Sequence, residues 1–193
     1  MKYEFTGQVK VVGGITFRQI RALVAIASIG VAAGEVGGWV EKDGNLSQNG
    51  NAWVSGNARV SGNAWVNGNA WVSGNARVSG NAWVSGNARV SGNARVSGDA
   101  RVYGNARVSG DARVYGNAWI LKPTQVLVGF FQARTGVYSL TLYSAKDTTE
   151  PRFTWGCRDG DSLSEYLSDP TYEGLRDAPL AFLQAWKLSN KGE

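Results

Sequence analysis

The 193-residue chain has no histidine, a single cysteine and no apolar run long enough to span a bilayer. A lone Cys157 permits no internal disulfide, so nothing marks a secreted framework; it reads as a small buried thiol, and a reducing cytoplasm fits. Cys157 also lacks the further ligands that zinc needs and a paired base to activate it as a nucleophile. The longest apolar stretch, Ala22 to Ala33, includes Ser28 and Gly30. It falls short of the roughly 20 residues of a spanning helix, so no membrane segment is expected. Arg18 and Arg21 ahead of that stretch, and Val31-Ala32-Ala33 at its end, imitate a signal peptide. The region before it, however, contains Glu4 and alternates like a strand, so no signal is expected. The glycines form no phosphate loop, because no Gly-Lys-Ser/Thr opening a helix accompanies them.

What the chain has in quantity is positive charge in one place. The net charge is +5, and residues 51–120 hold seven Arg, no Lys and two Asp, while basic and acidic residues balance elsewhere. That same stretch is a repeat. From Asn51 the sequence reads Asn-Ala-Trp-Val-Ser-Gly, then Asn-Ala-Arg-Val-Ser-Gly, and keeps this phase through twelve hexads to Ile120. Within each hexad Ala and a β-branched residue stand two apart and face one side of a strand, while the Trp or Arg between them faces the other. Gly followed by Asn or Asp closes each hexad, and both residue types tolerate the left-handed backbone of a tight corner. A helix is excluded, since each Gly would cost about 1 kcal/mol and the apolar spacing does not follow 3.6. Disorder is excluded because solvated repeats need no phased apolar core.

With Val54 and Ala58 four apart, the hexads resemble the hexapeptide-repeat, LpxA-like left-handed β-helix superfamily over about 70 residues. The flanking Phe17-Arg-Gln-Ile-Arg-Ala-Leu, Gly34-Glu-Val-Gly-Gly-Trp-Val-Glu and Asn45-Leu-Ser resemble the N-terminal region of enterobacterial YdcK-like and phage-encoded hexapeptide-repeat proteins. The resemblance implies a mainly-β fold: a left-handed parallel β-helix with three hexads per coil and about four coils stacked about 4.8 Å apart. One face then carries Trp53, Trp71, Arg89 and Arg107; a second carries Arg59, Arg77, Arg95 and Arg113; a third carries Trp65, Trp83, Arg101 and Trp119.

Open β-helix ends need covering. Residues 1–50 are expected to supply an N-terminal β cap and a first irregular coil, with strands at Tyr3 to Val12 and Ile15 to Ile26 around Gly13-Gly14. Residues 51–120 form the β-helix, and residues 121–193 a small α+β cap. In that cap a hairpin of Val126 to Phe131 and Val137 to Ser144 is followed by a strand at Phe153 to Trp155. Ser162-Leu-Ser-Glu165 opens a short helix through Leu167, and Leu180 to Leu188 forms a last one after Pro179. A role for this part in binding a partner is a secondary expectation.

Acyltransferases on this fold commonly use a histidine base, and its carbonic anhydrases hold their metal with histidines. With no histidine present, neither mechanism carries over, and no catalytic residue, cofactor or metal is expected. Asp99 and Asp111 take corner positions filled elsewhere by Asn, which favours a structural role over acid–base work. Four stacked arginines repel by about 0.9 kcal/mol per neighbouring pair even in water. Solvent, salt, guanidinium stacking and contact with Trp can offset this. The sharper reading is that Arg59, Arg77, Arg95 and Arg113, with Arg89 and Arg107, bind an anionic partner such as an acidic protein, a nucleotide or nucleic acid. A row of Trp65, Trp83 and Trp119, with Arg101 among them, is the expected oligomer contact, and the resemblance implies a homotrimer.

The expectation is therefore a non-catalytic binding or assembly protein of a bacterial cytoplasm, phage- or prophage-encoded, with an anti-defence or host-factor-binding role drawn from the resemblance alone. A hexapeptide-type transferase with an unfamiliar site and a structural virion or assembly module are the alternatives. The basic surface argues against DNA mimicry, and protruding Trp and Arg argue against ice binding.

Overall fold

A computed structural model describes residues 1–122, 125–133, 136–144, 152–155, 158–162, 183–184 and 187. Two long antiparallel strands, β1 (Tyr3–Val12) and β2 (Ile15–Ala22), are followed by β3 (Val36–Val40). Twelve two-residue strands, β4–β15, then recur from Trp53–Val54 to Trp119–Ile120. They stack in parallel with partners three hexads away, as Arg59 with Arg77 and Trp65 with Trp83, and build three sheets. The result is a mainly-β parallel β-solenoid of about five turns.

The hexad dictates this geometry. Every repeat Ala is at most 1% exposed and every repeat Val or Ile fully buried, so stacked small residues fill the interior. Each corner is a turn such as Ser55 to Ala58, closed by the Ala58 N–H donating to the Ser55 carbonyl at 3.3 Å. Only the glycine takes positive φ, as at Gly56 (+63°), and among the described residues no other residue type does so. The corner asparagines therefore do not serve as left-handed residues, contrary to the sequence expectation. Their side chains form ladders instead: Asn51 Nδ2 donates to Asn69 Oδ1 at 3.1 Å, Asn69 to Asn87 at 3.1 Å, and Asn87 to Asn105 at 3.1 Å. The Asp residues end such ladders as acceptors, Asp99 from Asn81 at 2.9 Å and Asp111 from Asn93 at 3.0 Å. An ionised carboxylate accepts but cannot donate onward, so each of these ladders stops at its Asp.

The first turn comes from outside the hexads. Trp39 and Val40 pair with Arg59 and Val60, twenty residues on, and Leu46 bridges Val66. Asn45 is fully buried and donates through Nδ2 to the Gly62 and Ala64 carbonyls at 3.1 and 2.8 Å. Over this end lies the start of the chain. The Gln48 amide accepts from the Lys2 and Tyr3 N–H groups at 2.7 and 3.2 Å and donates to the Tyr3 carbonyl at 3.1 Å. The Tyr3 hydroxyl donates to the Leu46 carbonyl at 2.9 Å.

Lys2 is buried with its ammonium on the Ala52 carbonyl at 2.6 Å, and burial lowers its pKa to about 8. Because burial disfavours its charged form, the fold is penalised in full below about pH 8. It then gains stability as pH rises, until the unfolded lysine also loses its proton near 10.5. Tyr3, raised to about 12 by burial and then by Asp43, opposes this only above its ordinary value near 10. Urea midpoints should therefore climb between pH 8 and 10, and Lys2→Met should flatten that climb; a climb of the same size in the variant assigns it elsewhere.

At the other end, β16 (Val126–Ala133), β17 (Gly136–Tyr143), β18 (Arg152–Trp155) and β19 (Arg158–Ser162) form an antiparallel sheet. Thr141 and Thr154, opposite each other and 1% exposed, straddle the last rung of the arginine column. The Arg113 N–H donates to Thr141 Oγ1 at 2.9 Å, and Thr154 Oγ1 donates to the Arg113 carbonyl at 3.0 Å. The Trp119 N–H donates to the Ser144 carbonyl at 2.9 Å. Strand β19 was not expected, and Ser162 is its last residue, paired with Arg152, rather than the start of a helix. The rest of that expected helix and Cys157 lie outside the described residues, as does most of the final helix, of which Leu183, Gln184 and Lys187 are helical.

Candidate functional site

The twelve central hexad positions fall into three columns. Arg59, Arg77, Arg95 and Arg113 pair in unbroken register, and the sheet continues from Arg59 to Trp39. Arg59 and Arg113 are half-buried, Arg77 and Arg95 exposed. Arg59, Arg77 and Arg95 form no ion pair with a described residue, and the carboxylates Asp99 and Asp111 sit at corners, engaged by Asn. Burial first, then the charges of Arg59 and Arg95, push the Arg77 guanidinium below its ordinary range, with Tyr115 pulling the other way. Those two arginines are its neighbours one rung to either side in the column.

The N-terminal hairpin adds residues to this face that the repeat pattern does not reveal. Phe17 is 4% exposed, and the Arg59 guanidinium lies 5.7 Å from its ring centroid. The Lys10 ammonium lies 3.9 Å from the Trp39 ring, and its pKa is lowered by burial and then by Arg59. Trp39-Val40 matches the Trp-Val of the hexads, and this was the one available sign that the column starts earlier.

Arg89 and Arg107 stand on the column of Trp53 and Trp71 rather than on the arginine column. This column is not uniformly outward. Trp53 is 0% exposed and belongs to the core, because Ile20 and Gly37 close over it; a Cβ on Gly37 would meet its ring at 2.7 Å. Trp71 is half-buried, donates through Nε1 to Ser55 Oγ at 2.9 Å, and lies 5.6 Å from the Arg89 guanidinium.

Trp65, Trp83, Arg101 and Trp119 share the third column in that order. Arg101 stands between Trp83 and Trp119 as the sequence placed it, with its guanidinium 5.1 Å from the Trp83 ring and 6.0 Å from that of Trp119. Trp65 packs edge-on against Trp83 at 5.3 Å, and Trp119 tilts against Tyr103 at 5.7 Å. Trp83 is 42% exposed while Trp65 and Trp119 are half-buried, so the exposed apolar area is smaller than three outward tryptophans would give.

The stacking offset, the Ala-X-Val strands and the glycine corners together define the repeat class. The repeat is similar to the YdcK beta solenoid repeat. Overlapping matches to that family's model run from 52–68 to 106–121 and cover the hexads almost end to end. No curated protein matches the chain. The YdcK-like repeat accounts for the core and the corners, while the Trp or Arg between Ala and Val is where this chain's own surface chemistry lies. Among the described residues no cluster of three or more His, Cys, Asp or Glu could hold a metal, and no helix is long and apolar enough to cross a membrane.

Proposed function

We propose that the protein is a non-catalytic β-solenoid module that binds an anionic partner, an acidic protein, a nucleotide or nucleic acid, along the arginine column. The observation that carries this is the in-register stack of Arg59, Arg77, Arg95 and Arg113 with no carboxylate in the column. Guanidinium groups at about 4.8 Å spacing gain most when a linear run of negative charge replaces their counter-ions. Arg89 and Arg107 on the neighbouring column extend the same field. Support for the non-catalytic part is that the chain has no histidine and that Asp99 and Asp111 are occupied as ladder acceptors. The same reading takes the solenoid as a left-handed, hexapeptide-type helix with the C-terminal sheet as its end cap. It also takes the third column as the contact of a homotrimer, and the setting as a bacterial cytoplasm with phage or prophage origin.

The test replaces Arg59, Arg77, Arg95 and Arg113 by Gln and follows binding of a fluorescent single-stranded oligonucleotide from low to high salt. If all four contact phosphates, the slope of log affinity against log salt should fall by about 2.8. An unchanged slope and affinity would remove the arginine column from the function. For the trimer, light scattering should give three times the chain mass, and a concentration-independent monomer mass would end that part of the proposal.

A further inference from the structure

The head of the arginine column differs from the rest of it, because the β1–β2 hairpin leans over it there. Between the two lies a cleft of about 260 Å³, with Ile15 and Phe17 on the hairpin side and Arg59, Arg77, Ser61 and Ser79 on the solenoid side. None of the residues that line it is acidic. The Arg59 guanidinium lies 5.7 Å from the Phe17 ring centroid, a cation–π contact that favours this placement before any ligand arrives. Arg77 stands one rung below, about 4.8 Å along the column. Ser61, 6% exposed, and Ser79 also line the cleft and bring hydroxyls that can donate to an anion.

We propose that this cleft is a binding site for a phosphomonoester carried on an organic group with an apolar face. Two adjacent guanidinium groups match the charge of a phosphomonoester, about −1.5 to −2 near neutral pH, and can each donate a forked pair of hydrogen bonds to its oxygens. A monoanion such as a sulfate ester leaves part of that charge unmatched. Ile15 and Phe17 then cover the carbon skeleton next to the phosphate. A dianion would also relieve the mutual repulsion that Arg77 feels from Arg59 and Arg95. The cleft around Trp83 and Trp119 is unsuited to this ligand, because Asp99 lines it beside Arg101.

This site deepens the arginine-column reading and rests on it, so its test keeps the two apart. Calorimetry with phenyl phosphate and phenyl sulfate is run on the native protein, on Arg77→Gln and on Arg95→Gln, which lies on the column outside the cleft; heparin retention is measured on all three. Phenyl phosphate should bind at least about tenfold tighter than phenyl sulfate, and Arg77→Gln should weaken it about tenfold or more while Arg95→Gln changes it less than about threefold. Both variants should elute earlier from heparin. If heparin still retains the protein but phenyl phosphate fails to bind, or binds equally well to Arg77→Gln, the cleft proposal is wrong and the column reading stands. If phenyl phosphate binds through Arg77 and heparin does not retain the protein, the cleft stands without the column. Ile15→Trp, which fills the cleft from the hairpin, should abolish phenyl phosphate binding with the circular dichroism unchanged; retained affinity in that variant overturns the site. A 5′-phosphorylated decanucleotide that binds more tightly than its dephosphorylated form, through Arg77, would identify the strand end as source. Equal binding of the two, with phenyl phosphate bound, would identify a small phosphorylated molecule.

Discussion

Replacing Trp53 by Ala should lower the unfolding free energy by about 3–5 kcal/mol, whereas Trp83→Ala should change it by less than about 1 kcal/mol. The two tryptophans occupy identical hexads, Asn-Ala-Trp-Val-Ser-Gly at 51–56 and 81–86. Trp53 is fully enclosed against Ile20 and Gly37, while Trp83 is 42% exposed and touches Trp65 and Arg101. Truncation at 53 leaves a void where the first turn meets the hairpin; truncation at 83 removes a partly wet surface ring. Trp53→Phe sharpens the test, because the Trp53 Nε1 is buried with no hydrogen-bond acceptor. Losing that unpaired N–H offsets about 1–3 kcal/mol of the lost packing, so the Phe variant should be much closer to the native protein than the Ala variant. Urea unfolding followed by circular dichroism gives all three values. Equal losses at 53 and 83 would show that the N-terminal segment does not cover the first turn.

Gly80→Ala should cost about 3 kcal/mol or more, and Gly110→Ala only about 1–2 kcal/mol. Both glycines take positive φ, +67° and +65°, so each substitution carries the left-handed strain of an L residue. The difference is in the stacking. A Cβ on Gly80 would lie 2.9 Å from the backbone N of Gly98 in the next turn, whereas a Cβ on Gly110 would meet nothing within 4 Å. The first change must push two turns apart, against backbone that cannot rotate away; the second falls on the last turn. Thermal melts of the two variants, measured side by side, separate strain from stacking, and equal shifts would mean that the turns do not approach this closely.

The solenoid was legible because its period is carried by chemistry repeated twelve times: a small residue and a β-branched one buried on one side, and glycine at every corner. The same uniformity hid the differences between turns. Nothing in the hexad at Trp53 distinguishes it from that at Trp83; the difference comes from Ile20 and Gly37, more than ten residues before the repeat begins. The corner Asn was legible as a corner residue, but its action through the side chain was not, because tolerance of positive φ and an amide ladder predict the same residue type. The arginine column followed directly from the eighteen-residue offset. Its companions Lys10, Phe17 and Trp39 did not, since they arrive by antiparallel folding of the hairpin and by a first turn two residues longer than the others.

That offset makes the molecule count in eighteens. Excising three consecutive hexads within the repeat shortens each column by one rung and leaves the rest in register. Excising one hexad, 81–86 for example, moves every later residue to the neighbouring column: Arg101 would follow Arg77, Trp119 would come after it, and Arg113 would leave the column that Thr141 and Thr154 now close. Its length can therefore change by whole coils while the charged stripe persists, and a single-hexad slip shuffles the surface while leaving the interior of Ala and Val unaltered.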